Sequence, residues 1–179
     1  EYSWKLDTGQ LMLLASNGVS TAEEYQHLLF DLAVNQNASL LSFIEKDKHD
    51  KIFKTLIKEL QKAEGQTALK FNTKLVQLKS SRSFVDQSVY FSNADFEAQI
   101  SYLKTKYQLD VIYLDDYSIL KEIISEESSK SYQLFLLGDF LLHLANKYKL
   151  RFIINYHHDH FEVKSLKSEI GRLINYTAQ

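Results

Sequence analysis

The sequence has no cysteine, no proline, only five glycines, and a single methionine and a single tryptophan. Without cysteine there is no disulfide and no thiolate metal site, and the redox compartment is left open. Without proline and with few glycines, punctuation is sparse, so element boundaries read from the chain are soft. Neither sign of charge dominates: 21 Lys and Arg stand against 23 Asp and Glu, for a net charge of −2. That balance gives no global electrostatic reason to bind nucleic acid or a membrane surface. No apolar run approaches the length of a membrane span, and Glu1-Tyr2-Ser3-Trp4-Lys5 does not read as a signal peptide. The start at Glu1 implies a trimmed chain. The expected location is cytoplasmic, or nuclear in a eukaryote.

What is present is material for a core. With 179 residues, 45% of them hydrophobic, and 11 Tyr and 11 Phe, the chain can build one compact domain over 1–179. The stretch around which the rest is organised is Leu109-Asp110-Val111-Ile112-Tyr113-Leu114-Asp115-Asp116. Four apolar residues followed by two carboxylates read as a strand buried on both faces that ends in acids. In an open parallel α/β sheet, ligands sit beyond such carboxyl ends.

In chain order, Gln10–Ala15 reads as a buried strand and Ser16–Thr21 as a turn. A helix follows, with Ser20 or Thr21 as N-cap, Glu23 and Glu24 in its first turn, and an apolar stripe of Tyr25, Leu28, Leu29, Leu32 and Ala33. Leu40–Glu45 reads as a second strand and Lys46–Lys62 as a helix. Thr67–Leu78 reads as another helix, with Leu69, Thr73, Leu75 and Val76 inward. Ser88–Phe91 is expected as a third strand. A helix capped by Asn93 or Asp95 then leads into the acid-ended strand. Tyr132–Tyr148 is apolar nearly all round, which predicts packing on more than one side. Arg151–Tyr156 reads as a fifth strand, His160–Lys164 as a short partner and Ser168–Tyr176 as a last helix. Strands alternating with helices predict a three-layer α/β fold with a mostly parallel sheet.

These residues carry a resemblance. Gly9–Ala15, its turn and its helix resemble the approach to the phosphate loop of RecA-fold ATPases, especially the DnaB-type helicase motor. Leu41–Glu45 is similar to that family's second core strand, and Val89–Asp115 resembles the run into its Walker B strand. Phe140–Ile154 resembles the helix and strand that follow. The resemblance implies a RecA-like core with four roles. Asp115 takes the magnesium-holding acid position and Glu45 the position of the glutamate that activates water. Thr21 takes the magnesium-binding hydroxyl position, and His157 (or Tyr156) that of the γ-phosphate sensor.

The phosphate loop itself departs from the pattern. A working loop reads G-x-x-x-x-G-K-[ST], with glycines that let backbone N–H groups close on phosphate and a lysine that reaches its oxygens. Here Ser16-Asn17-Gly18-Val19-Ser20-Thr21 fills the slot. Val19 takes the position of the last glycine, Ser20 stands where lysine belongs, Gly18 belongs to the degenerate site, and the loop is about one residue short. After Lys5 the next lysine is Lys46. Losing the cation weakens nucleotide binding and removes transition-state stabilisation. The resemblance thus implies a degenerate nucleotide site, with ATP and magnesium doubtful and no cofactor expected.

Other chemistry is weaker. Tyr156-His157-His158-Asp159-His160 spaces imidazoles by two, as a divalent-metal site could use, but no third ligand is identifiable; a solvated turn is the plainer reading. Glu162-Val163-Lys164 with Asp159 matches half of a nuclease motif, at a length that chance supplies often. Asp139 and His143 are one helical turn apart and read as a surface or interhelix hydrogen bond. Lys104, Lys106, Lys147, Lys149 and Arg151 alternate with acids and read as a solvated face. The expected function is a non-catalytic accessory module in DNA replication, repair or recombination. Its partner would be a protein, for example another RecA-like ATPase. The charge does not call for DNA. The alternative is an atypical ATPase or a metal-dependent hydrolase using Tyr156–His160.

Overall fold

The computed structural model describes residues 6–16, 21–62, 68–124, 129–157 and 173–177. Its strands are β1 (Leu11–Ser16), β2 (Leu40–Phe43), β3 (Ser83–Asp86), β4 (Val111–Leu114), β5 (Arg151–His157) and β6 (Leu173–Thr177). Its helices are α1 (Thr21–Phe30), α2 (Lys46–Lys62), α3 (Ala68–Lys79), α4 (Asn93–Tyr107) and α5 (Lys130–Tyr148). The six strands form one sheet in the order β3-β2-β4-β5-β1-β6, and every pairing is parallel. Parallel neighbours need crossovers, and the helices that supply them cover both faces. The outcome is the three-layer α/β fold that the alternation predicts.

Side-chain period sorts the two layers. Along β4, Val111 and Tyr113 enter one core with Tyr25, Leu28, Leu29, Ile52 and Leu56 of α1 and α2. Ile112 and Leu114 enter the other, with Phe96 and Ile100 of α4 and Leu137, Leu141 and Leu144 of α5. Both faces of β4 are therefore apolar, which explains its unbroken hydrophobic run. The stripe read there is the buried stripe, running from α1 into the π-helical turn Asp31–Asn35 that continues it: Tyr25, Leu28, Leu29, Leu32 and Ala33 are all at most 2% exposed.

Helices α4 and α5 end alike. Gln108 (φ 52) and Lys149 (φ 54) each take the left-handed conformation, and each donates its N–H back into the helix, to the carbonyls of Lys104 and Ala145. Leu109 and Leu150 follow at once, both buried, so each left-handed turn swings the chain directly into its strand. At α4 the cap is Ser92, whose hydroxyl accepts from the Asp95 N–H at 3.0 Å, rather than Asn93 or Asp95 themselves.

Three elements differ from the sequence expectation. The third strand is Ser83–Asp86, not Ser88–Phe91; of the latter, Tyr90 makes only an isolated parallel bridge to Leu120. Val89 and Phe91 are 45% and 78% exposed, so their strand-like character is not used in the sheet. Leu173–Thr177, expected inside a last helix, is a strand parallel to β1. Leu-Ile-Asn-Tyr-Thr suits a strand better than a helix, and the flank of β1 is where it pairs. Helix α3 is present, but Thr73 and Val76 are exposed and Leu78 is the fully buried residue. The expected strand at His160–Lys164 lies outside the described residues.

Candidate functional site

All six strands are parallel, so their carboxyl ends share one edge. On this edge the ends of β2, β3 and β4 frame a cleft of about 410 Å³. Its polar lining is Glu45, Lys48, Asp86, Gln87, Asp115 and Asp116. Glu45 follows β2, Asp86 ends β3, and Asp115 and Asp116 follow β4; Lys48 lies in the first turn of α2.

Asp115 is the centre. It continues the Val111, Tyr113 alternation and so points toward the α1 and α2 layer. Lys48 Nζ lies 2.8 Å from its Oδ2 and 3.0 Å from its Oδ1, with side chains 29% and 15% exposed. The Tyr113 hydroxyl donates to Oδ1 at 3.0 Å, and Asn155 Nδ2 donates to the same oxygen at 3.4 Å. The backbone N–H of Asp115 donates to the Phe43 carbonyl at 3.0 Å, which extends the β2–β4 ladder to the acid itself. Both carboxylate oxygens thus have donors from within the chain.

Beneath it lie further buried hydroxyls. Tyr25 donates to Ser42 Oγ at 2.9 Å, and its ring packs on Tyr113 with centroids 4.8 Å apart. Burial pushes the Tyr113 hydroxyl well above its ordinary value, and the negative charge of Asp115 and the hydrogen bond to it push the same way. Burial also raises Tyr25, opposed by the Ser42 bond and helped by the Asp115 charge. Both phenols are therefore neutral donors.

Two of the remaining acids of the cleft serve their own turns. Asp116 accepts from the Ser118 N–H at 2.8 Å and caps a short 3-10 turn at Tyr117–Ile119. Asp86 accepts from the Ser88 N–H at 2.6 Å and from the Tyr90 hydroxyl at 2.9 Å. Glu45 is exposed at the end of β2, beside the bond from the Lys46 N–H to Gln87 Oε1 at 3.0 Å. Asp110, just before β4 at its other end, accepts the Ser39 N–H at 2.8 Å and fastens the entry of β4 to that of β2.

Of the residues singled out in the sequence, Glu45 and Asp115 come together in this cleft. Thr21 opens α1, and His157 ends β5 in register with Ser16 of β1. Gly18 and Ser20 lie outside the described residues, as do His158, Asp159, His160, Glu162, Val163 and Lys164. Among the described residues no group of three or more His, Asp or Glu is placed to hold a metal ion, and no helix is long and apolar enough to cross a membrane.

Lys48 is the residue that sequence reasoning missed. In the chain it is one lysine of a solvated helix start, far from the Ser16–Thr21 loop. The sheet order supplies the missing fact: β2 is the direct neighbour of β4, so the helix that leaves β2 begins beside the acid that ends β4. Tyr113 and Asn155 were also hidden, as polar atoms inside strands that otherwise read as apolar.

The resemblance leaves ATP and magnesium doubtful here, and residues 17–20 of the phosphate-loop slot lie outside the described residues. The acid that would receive the metal is already paired with an ammonium group on both oxygens.

The architecture and the acid-ended second and fourth strands define a RecA-like α/β module. No known protein-family profile matches the sequence, and no curated protein sequence does. Solved structures do match. A structure solved as an ATPase domain superposes with a TM-score of 0.61 at 15% identity, covering 89% of this chain and 61% of that one. A DnaB-like replicative helicase, described together with its interactions with primase, superposes with a TM-score of 0.60 at 14% identity, covering 89% of this chain and 41% of that one. At such identities the likeness establishes the fold. The chain spans less than two thirds of either structure.

Proposed function

We propose that this chain is a RecA-like module that does not turn over nucleotide and works as an accessory, protein-binding subunit in DNA replication, repair or recombination. The observation that carries the reading is the state of Asp115. At the position where the fold's working members hold a metal, this carboxylate takes its positive charge from Lys48 and further donors from Tyr113 and Asn155. Ser20, in place of the phosphate lysine, agrees with it. The partner is a protein, with another RecA-like ATPase the first candidate; one structural neighbour is a replicative helicase described with its interactions with primase, which supports a protein partner. Its place of work is the cytoplasm, or the nucleus in a eukaryote.

Melting measured with and without millimolar ATP and magnesium tests the reading. Ligand at a hundredfold over Kd stabilises by about 2.7 kcal/mol, which for a domain of this size is a shift of about 5–10 °C. The expected shift is none. A clear rise, or measurable ATP hydrolysis, overturns the proposal. Co-elution with a RecA-like replication ATPase tests the partner.

A further inference from the structure

We infer that Lys48 is an internal counter-cation that keeps divalent metal ions off Asp115, so that the sheet edge carries a metal position closed by the chain itself. The inference deepens the non-catalytic reading and names the residue responsible. The cleft is lined by four carboxylates, Glu45, Asp86, Asp115 and Asp116, and by one cation, Lys48. That acidic surround would draw any cation to the edge. Asp86 and Asp116 are tied to backbone N–H groups of their own turns, and Asp115 is the acid engaged by the ammonium.

The geometry favours an ion that replaces a metal over one that reaches for a phosphate. Lys48 meets both oxygens of Asp115 from the β2 side. In the order β2-β4-β5-β1, the ammonium sits at the end of β4, two steps from the strand that ends at Ser16, about 10 Å at the usual strand spacing. A tethered ammonium in contact with a carboxylate meets a divalent ion at an effective concentration on the order of millimolar for a short tether, so it competes best with ions at or below that level. Hard divalent ions commonly bind through one or two carboxylates and water, so Asp115 with Glu45 nearby suffices for a weak site once the ammonium is gone.

Terbium titration reads this without nucleotide or activity. Tyr113, whose hydroxyl is 3.0 Å from Asp115 Oδ1, is a built-in sensitiser of terbium luminescence. The wild-type chain is expected to give no saturable signal. Lys48→Met is expected to give a saturable one that magnesium or calcium competes away. The double variant Lys48→Met with Asp115→Asn is expected to be silent again, and Lys48→Arg to stay silent throughout. Circular dichroism confirms that each variant is folded, and Lys48→Gln replaces Lys48→Met if the latter is not. A folded Lys48→Met or Lys48→Gln chain with no more signal than wild type overturns the inference. So does a wild-type signal that Asp115→Asn removes. An ATP-dependent melting shift, by contrast, overturns the functional proposal and leaves the terbium result standing.

Discussion

Tyr25 and Tyr113 lie with ring centroids 4.8 Å apart, one hydroxyl donating to Ser42 and the other to Asp115. The pair is a buried link from α1 through β2 and β4 to the acid at the sheet edge. Removing the Tyr113 hydroxyl takes away a hydrogen bond to a charged acceptor. Tyr113→Phe should therefore cost about 1.5–3 kcal/mol in urea unfolding. A change within error would mean that the bond adds nothing.

The same pair sets an alkaline limit. Both hydroxyls are held above the ordinary 10.0, by burial first. Above pH 10.0 the unfolded chain releases these protons while the folded chain keeps them. Their contribution is thus complete below that pH and is lost as pH rises past it. Unfolding midpoints should fall on the alkaline side, and Tyr113→Phe should flatten that fall. Equal slopes for the two proteins would contradict the assignment.

The Lys48–Asp115 pair should be coupled energetically. At 29% and 15% exposure it is neither a surface ion pair nor a fully buried one, so Lys48→Met should cost about 1–3 kcal/mol. Most of that cost is the carboxylate left without its cation. In a double-mutant cycle with Asp115→Asn, the double variant should lose less than the two single variants summed. Strict additivity would show that the pair is geometric only.

Phe96 is the ring at the centre of the α4–α5 layer. It is fully buried, with Phe43 at 5.3 Å, Tyr90 at 5.1 Å and Phe140 at 6.1 Å between centroids. Phe96→Ala should cost about 3–5 kcal/mol, because the cavity adds to the lost burial. A loss under about 1 kcal/mol would mean that the layer collapses around the gap.

Two kinds of left-handed residue predict opposite signs. Gly9 has φ 84, and a Cβ there would stand 2.9 Å from Asn146 Oδ1, so Gly9→Ala should destabilise by about 1–2 kcal/mol. Exposed Lys149 already pays the left-handed cost with a side chain, so Lys149→Gly should stabilise by about 0.5–1 kcal/mol. Thermal melting of both variants reads the signs directly.

The parts legible in the sequence are those whose side chains repeat with the backbone. The α1 stripe, the span of α2 and the four-residue core of β4 follow from period and length. Strand β3 was illegible because it sits at the sheet edge, half-buried along its whole length, so it has neither an apolar run nor a clean alternation. The site was half legible. Glu45 and Asp115 announce themselves as acids after apolar strands. Lys48 does not, because its role exists only once β2 and β4 are neighbours, and nothing local to Lys46–Lys62 encodes that adjacency.

The shortness of β3 bears on how the module could meet other proteins. Four residues offer a newcomer few unpaired N–H and C=O groups, and the next residues turn away as Asp86 takes the Ser88 N–H and the Tyr90 hydroxyl. Strand-to-strand extension on that flank is thereby blunted, and with it the route to open-ended fibrous growth. On that flank an approach is confined to helix faces or the loop-bearing rim, while β6 forms the other edge of the sheet.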